Sequence, residues 1–118
     1  MVMVSHQLAV AEDPDRPASL SAKIIGFLRE ELGFEGVIIT DALRMDAIHD
    51  HYGTGEACVL ALEAGADMLL LPYNFTNAFE GVMQAVAESR LTEKRIDESV
   101  LRILSLKEKY GLLPSTRK

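Results

Sequence analysis

Gly33-Phe34-Glu35-Gly36-Val37-Ile38-Ile39-Thr40-Asp41 is the segment that decides how the rest of this chain reads. Residues 37–40 are β-branched, the side chains that fit a pleated, buried strand best. Gly33 ends the helix before them, because glycine enters the left-handed backbone region without a Cβ penalty. Asp41 then stands alone where the strand stops. In an α/β protein that edge of the sheet is where loops meet ligands, so a lone acid there is a candidate reactive carboxylate. An Asp at this position can equally cap the next helix.

The flanking sequence supplies the other elements. Val2-Met3-Val4 reads as a short buried strand, followed by a polar stretch with Asp13-Pro14-Asp15 and Pro17. Ser19 or Ser21 caps a helix running to Leu32, with Ile24, Phe27, Leu28 and Leu32 on its apolar face. After a loop or short helix over residues 43–48, Gly53-Thr54-Gly55 opens a helix to Ala64 with the small-residue face Ala57, Leu60, Ala61 and Ala64. Residues 68–71 form a third, continuously apolar strand bounded by Pro72, as expected when both faces are covered. Two helices follow. The first spans residues 76–88 with Phe79, Val82, Met83 and Val86 inward. The second spans 92–110 with Ile96, Val100, Ile103 and Leu104 inward, before the stop signals Gly111 and Pro114. Strands alternating with helices indicate a parallel α/β sheet.

At 118 residues the chain is one small domain, long enough for a single core. A net charge of −6 argues against nucleic-acid or anionic-membrane partners, which call for a basic face. No apolar run reaches membrane-spanning length. The single cysteine, Cys58, excludes an internal disulfide and reads as a buried structural thiol. The amino terminus lacks a signal-peptide pattern, which favours a cytoplasmic location unless an export signal lies upstream.

From Pro17-Ala18-Ser19 through Gly36-Val37-Ile38-Ile39-Thr40-Asp41-Ala42-Leu43-Arg44-Met45, and on through Glu63-Ala64-Gly65-Ala66-Asp67-Met68-Leu69-Leu70-Leu71-Pro72 to Lys109-Tyr110-Gly111, the chain resembles glycoside hydrolase family 3. The likeness is to its bacterial β-N-acetylhexosaminidase branch and covers nearly the whole sequence. It implies that residues 1–118 are the C-terminal portion of the catalytic domain, the last three strand-helix units of a (β/α)8 TIM-like barrel. Three units make the fold incomplete as a single chain and leave sheet edges open, so a missing barrel half or self-association is expected.

The resemblance assigns Asp41 the role of catalytic nucleophile. Retaining hydrolysis also needs an acid/base, which in this branch resembles a His-Asp pair on an early loop without counterpart here. The isolated chain is therefore expected to be inactive. Ala42, where glucoside-acting members usually carry Trp, and Met45 both favour the hexosaminidase branch, with Met45 a substrate-binding candidate or simple packing beneath the loop. The implied substrate is a terminal β-linked N-acetylglucosamine in peptidoglycan fragments or chitooligosaccharides. His6, after the first strand, either touches a substrate hydroxyl or is a surface or capping residue.

No cofactor is implied, since no glycine-rich phosphate loop of the usual spacing occurs. His49-Asp50-His51 lacks further metal ligands and reads as a solvated loop. Asp67 reads as a residue that holds the turn through hydrogen bonds to the backbone, Asn74-Phe75-Thr76 as a helix start, and Glu93 to Glu98 as a mixed-sign solvated face. The competing readings are a non-catalytic fragment and an α/β interaction or receiver-like domain. A receiver would need an acidic pair after the first strand, where Ser5-His6-Gln7 stands, and a Lys before Pro72, where Leu71 stands.

Overall fold

The computed structural model describes residues 1–114. Two strands, β1 (Val2–Val4) and β2 (Ile38–Thr40), pair in parallel with Val2 opposite Ile38 and Val4 opposite Thr40. Five helices surround them: α1 (Ala22–Gly26), α2 (Asp46–His49), α3 (Thr54–Ala64), α4 (Phe75–Ala87) and α5 (Glu93–Lys109). The result is an α/β arrangement, more helical than the sequence suggests.

The expected third strand is reduced to one parallel bridge between Ile39 and Met68. Thr40 N–H donates to the Met68 carbonyl, but the Leu70 N–H turns to Thr40 Oγ1, 3.2 Å away, instead of a backbone oxygen. Leu71 then adopts a left-handed φ of 42°, a conformation costing a non-glycine residue about 1–2 kcal/mol. A ladder cannot continue through such a residue.

Ser21 caps α1, its Oγ accepting the Ile24 N–H. The helix continues as a π turn over Phe27–Glu31, where Leu32 N–H reaches back five residues to the Phe27 carbonyl. The wider turn breaks the 3.6-residue spacing on which the expected apolar face rested. Ile25 is consequently the buried residue and Leu28 packs on the core, while Phe27 and Leu32 are exposed.

Helix α3 is buried nearly all round, in keeping with its lack of charge except Glu56 and Glu63. It ends on Gly65 at φ 118°, the left-handed cap that glycine supplies. Helix α4 crosses α3 where Gly55 meets Gly81. A Cβ on Gly81 would stand 2.7 Å from the Gly55 Cα. That approach reserves the inward face of α4 for Ala78, Gly81, Val82 and Ala85, so the expected inward residues Phe79 and Met83 lie outside.

Helix α5 docks largely through polar groups. Asp67, fully buried in its side chain, pairs with Arg29 from the π turn and with Arg102 of α5 at 2.9 Å. It also accepts the Ile38 N–H at 2.9 Å and the Ser99 hydroxyl at 2.7 Å. One carboxylate thus ties β2, α5 and the helix before β2 together, through side chains more than through the turn backbone. Arg95 reaches the Ala66 and Leu62 carbonyls from α5, so it does not lie on a solvated face.

The main core gathers Leu20, Ile25, Ile38, Leu43, Ile48, Cys58 and Leu60. Each large side chain so enclosed contributes roughly 1.5–3 kcal/mol of hydrophobic stabilisation. Much apolar surface stays outside: Met3, Phe75, Phe79, Leu101, Leu104 and Leu112 are all exposed. The radius of gyration, 14.7 Å, exceeds the roughly 13.5 Å of a compact domain of this length.

Candidate active site

Asp41 is built into the structure by its neighbours on both sides. Its own N–H donates to the Val4 carbonyl at 2.9 Å, extending the β1–β2 pairing by one residue. Beyond it, Leu43 and Arg44 N–H groups donate to the Leu70 and Leu71 carbonyls, which stitches the following loop to the segment after Met68. The residue is half-buried. Its Oδ1 accepts the Ala42 N–H at 2.8 Å, and no Lys or Arg among the described residues forms an ion pair with it. A carboxylate on a fixed backbone with an uncommitted oxygen can act as a nucleophile, a base or a ligand for a cation.

His6 contacts the residue that follows Asp41. Its Nε2 is 2.8 Å from the Ala42 carbonyl and its Nδ1 is 2.7 Å from Ser19 Oγ. A carbonyl only accepts, so Nε2 carries a proton, and in the neutral imidazole Nδ1 then accepts from the buried serine hydroxyl. Both ring nitrogens are committed within the protein, and the imidazole grips the peptide that follows Asp41.

Met45 ends the same loop, 45% exposed, and its carbonyl accepts from Ile48 and His49 at the start of α2. Its packing beneath the loop is therefore incomplete. The His49-Asp50-His51 stretch divides: Asp50 and His51 are exposed, but His49 is half-buried and stacks on Tyr73 with ring centroids 3.8 Å apart and planes 8° off parallel. Among the described residues no three His, Cys, Asp or Glu side chains gather as a metal site would require. The Tyr73 contact had no signal in the local sequence, because its partner is 24 residues away. Asn74 does begin a helix, its Oδ1 accepting the Asn77 N–H.

With this geometry in view, the comparisons with known proteins are decisive at the family level. The profile described as the glycosyl hydrolase family 3 N terminal domain matches residues 1–106. The chain belongs to glycosyl hydrolase family 3. It is 36% identical over 104 residues to the beta-hexosaminidase A of Pseudoalteromonas piscicida, a match covering 80% of this chain and 17% of that protein. It is also 40% identical over 90 residues to a lysosomal beta glucosidase of Dictyostelium discoideum, covering 72% of this chain and 11% of that one. A solved family 3 beta-N-acetylglucosaminidase from Paenibacillus sp. superposes with a TM-score of 0.91 at 41% identity, across 99% of this chain and 23% of its own. The chain thus spans between 11% and 23% of the length of these proteins. Its α/β arrangement is that of the matching part of the family 3 structure.

Proposed function

We propose that this chain carries the nucleophile half of a retaining β-N-acetylhexosaminidase, with Asp41 as the attacking group. Asp41 Oδ2 forms a bond to the anomeric carbon of a terminal β-linked N-acetylglucosamine while the glycosidic C–O bond breaks. The leaving oxygen takes a proton from an acid/base outside this chain. Water, deprotonated by the same group, then attacks the anomeric carbon and frees Asp41. The observation that carries this reading is the carboxylate at the end of β2, its backbone held by Val4 and one oxygen left open.

His6 positions the peptide after Asp41, and Met45 offers its exposed thioether side to the sugar ring. Holding a reacting group within a fraction of an ångström is worth orders of magnitude in rate. The amino-sugar assignment draws on the names of the hexosaminidase relatives, and peptidoglycan fragments and chitooligosaccharides are substrates of that type.

The chain supplies the last three units of a TIM-like barrel, and the remainder comes from further polypeptide or from a partner. The many large apolar side chains left exposed support this, since a partner surface would cover them. In this reading the 118 residues alone do not turn over substrate, because the acid/base comes from elsewhere. The deciding experiment combines the chain with the remaining barrel units and treats the complex with a 2-deoxy-2-fluoro or 5-fluoro glycosyl inactivator. Mass spectrometry should find the sugar on Asp41. A folded complex that labels elsewhere, or not at all, refutes the assignment.

A further inference from the structure

The loop beyond Asp41 leads to an aromatic ring prepared on one face and open on the other. Tyr73 is stacked on His49, yet the residue remains 60% exposed. With one face occupied by the imidazole, the opposite face is the one left to meet a ligand. The pair lines a cleft of about 540 Å³ completed by Tyr52, Gly53, Asn74 and Asn77.

Three observations connect this cleft to the candidate active site. Arg44, three residues after Asp41, is hydrogen-bonded to Leu71, two residues before Tyr73. By chain reach the ring is therefore within on the order of 20 Å of Asp41, the span of a short oligosaccharide. Leu71 holds the strained left-handed φ that redirects the chain into Pro72 and Tyr73, and such strain collects at functional rims. Asn74 and Asn77, next along the chain, line the same cleft as the ring.

We propose that Tyr73, braced by His49, is the stacking platform for the leaving-group part of an oligosaccharide substrate. The axial C–H groups of a β-linked pyranose are weakly positive, and the face of an aromatic ring is weakly negative. A flat ring flanked by a few polar side chains in a concave site suits that contact. His49 acts as a positioning residue, because it removes one degree of freedom from the tyrosine before the sugar arrives. This inference rests on the glycosidase reading and adds a specificity determinant to it.

The test is a titration of the 118-residue chain with N-acetylglucosamine and with tri-N-acetylchitotriose, followed by NMR shifts of the Tyr73 and His49 ring protons. The trisaccharide should shift both rings and bind more tightly than the monosaccharide. Tyr73→Ala should weaken the trisaccharide about tenfold and leave the circular dichroism spectrum unchanged. Tyr73→Phe, which keeps the ring, should retain most of the binding. Absence of ring shifts at millimolar trisaccharide, or equal binding by Tyr73→Ala, overturns the platform. Labelling at Asp41 without a Tyr73 response would sink this inference alone, and a Tyr73 response without labelling would sink only the hydrolytic reading.

Discussion

His6 Nε2 donates to the carbonyl of Ala42, the residue that immediately follows the proposed nucleophile, across 36 positions of sequence. The contact couples the end of β1 to the end of β2 at the point where the chemistry is assigned. The positioning role predicts that His6→Ala in the reconstituted barrel slows fluorosugar labelling of Asp41 by roughly 10–100-fold. The concentration for half-maximal rate should change little, because the lost interaction orients the nucleophile and does not hold the sugar. A rise in that concentration with an unchanged maximal rate would instead mark His6 as a substrate contact.

Asp67 faces two guanidinium groups in the interior, those of Arg29 and Arg102. Removing the carboxylate leaves like charges together without compensation. Burial already lowers the pKa of Arg29, and the nearby Asp67 is the largest influence opposing that shift. Asp67→Ala is expected to cost about 3–5 kcal/mol, the usual loss when one partner of a buried ion pair is deleted. Urea denaturation provides the measurement. A loss below about 1 kcal/mol would show that water reaches these groups.

Gly81→Ala sets two effects against each other. Alanine gains about 1 kcal/mol in helix propensity. Its Cβ, however, would stand 2.7 Å from the Gly55 Cα, and backbone cannot step aside as a flexible side chain can. Overpacking of this kind costs about 1–3 kcal/mol, so a lower thermal midpoint is expected. Gly26, where an added Cβ would meet nothing within 4 Å, should tolerate the same change or benefit from it. Equal midpoints for the parent and Gly81→Ala would show that the two helices can move apart at little cost.

Asp13 fixes the start of α1 through Ser21, whose hydroxyl donates to Oδ2 at 2.6 Å. That hydrogen bond holds the Asp13 pKa below the usual carboxylate value. A depressed folded-state pKa stabilises the protein above the unfolded value of about 3.9, and the benefit is lost as pH falls through the folded one. Asp13→Asn should therefore flatten the acid limb of a stability profile below about pH 4. An unchanged acid limb would remove Asp13 from the account.

Cys58 is buried in the main core, and burial pushes its thiol up to about 11. At pH 8 only about one molecule in a thousand carries the reactive thiolate. Ellman's reagent should react slowly with the native chain and rapidly in denaturant. Because the folded pKa is raised, this group's stabilisation is complete below the unfolded value of about 8.5 and disappears as pH rises through the folded one. Fast native labelling would mean that α3 opens readily.

The element order was legible from local signals. Gly33 and Gly65 take the left-handed conformations that end their helices, and Ser21, Asn74 and Thr92 cap the helices they precede. Those features depend on a few neighbouring residues. The inward faces of the helices were less legible, because a π turn shifted one and a glycine crossing set another. Strand propensity misleads at residues 68–71, which have strand composition, because Leu71 and the Thr40 side chain interrupt the ladder.

Sequence by itself determined the family, the α/β order and the place of Asp41 at the end of β2, since hydrophobic patterning, caps and motif residues are encoded in adjacent positions. Tertiary structure alone decided the grip of His6 on Ala42, the meeting of Arg29 and Arg102 at Asp67, and the stack of His49 on Tyr73. The partners in these contacts lie between 24 and 38 residues apart, and their geometry follows from how the helices pack. No local rule of propensity or spacing reaches that far along the chain.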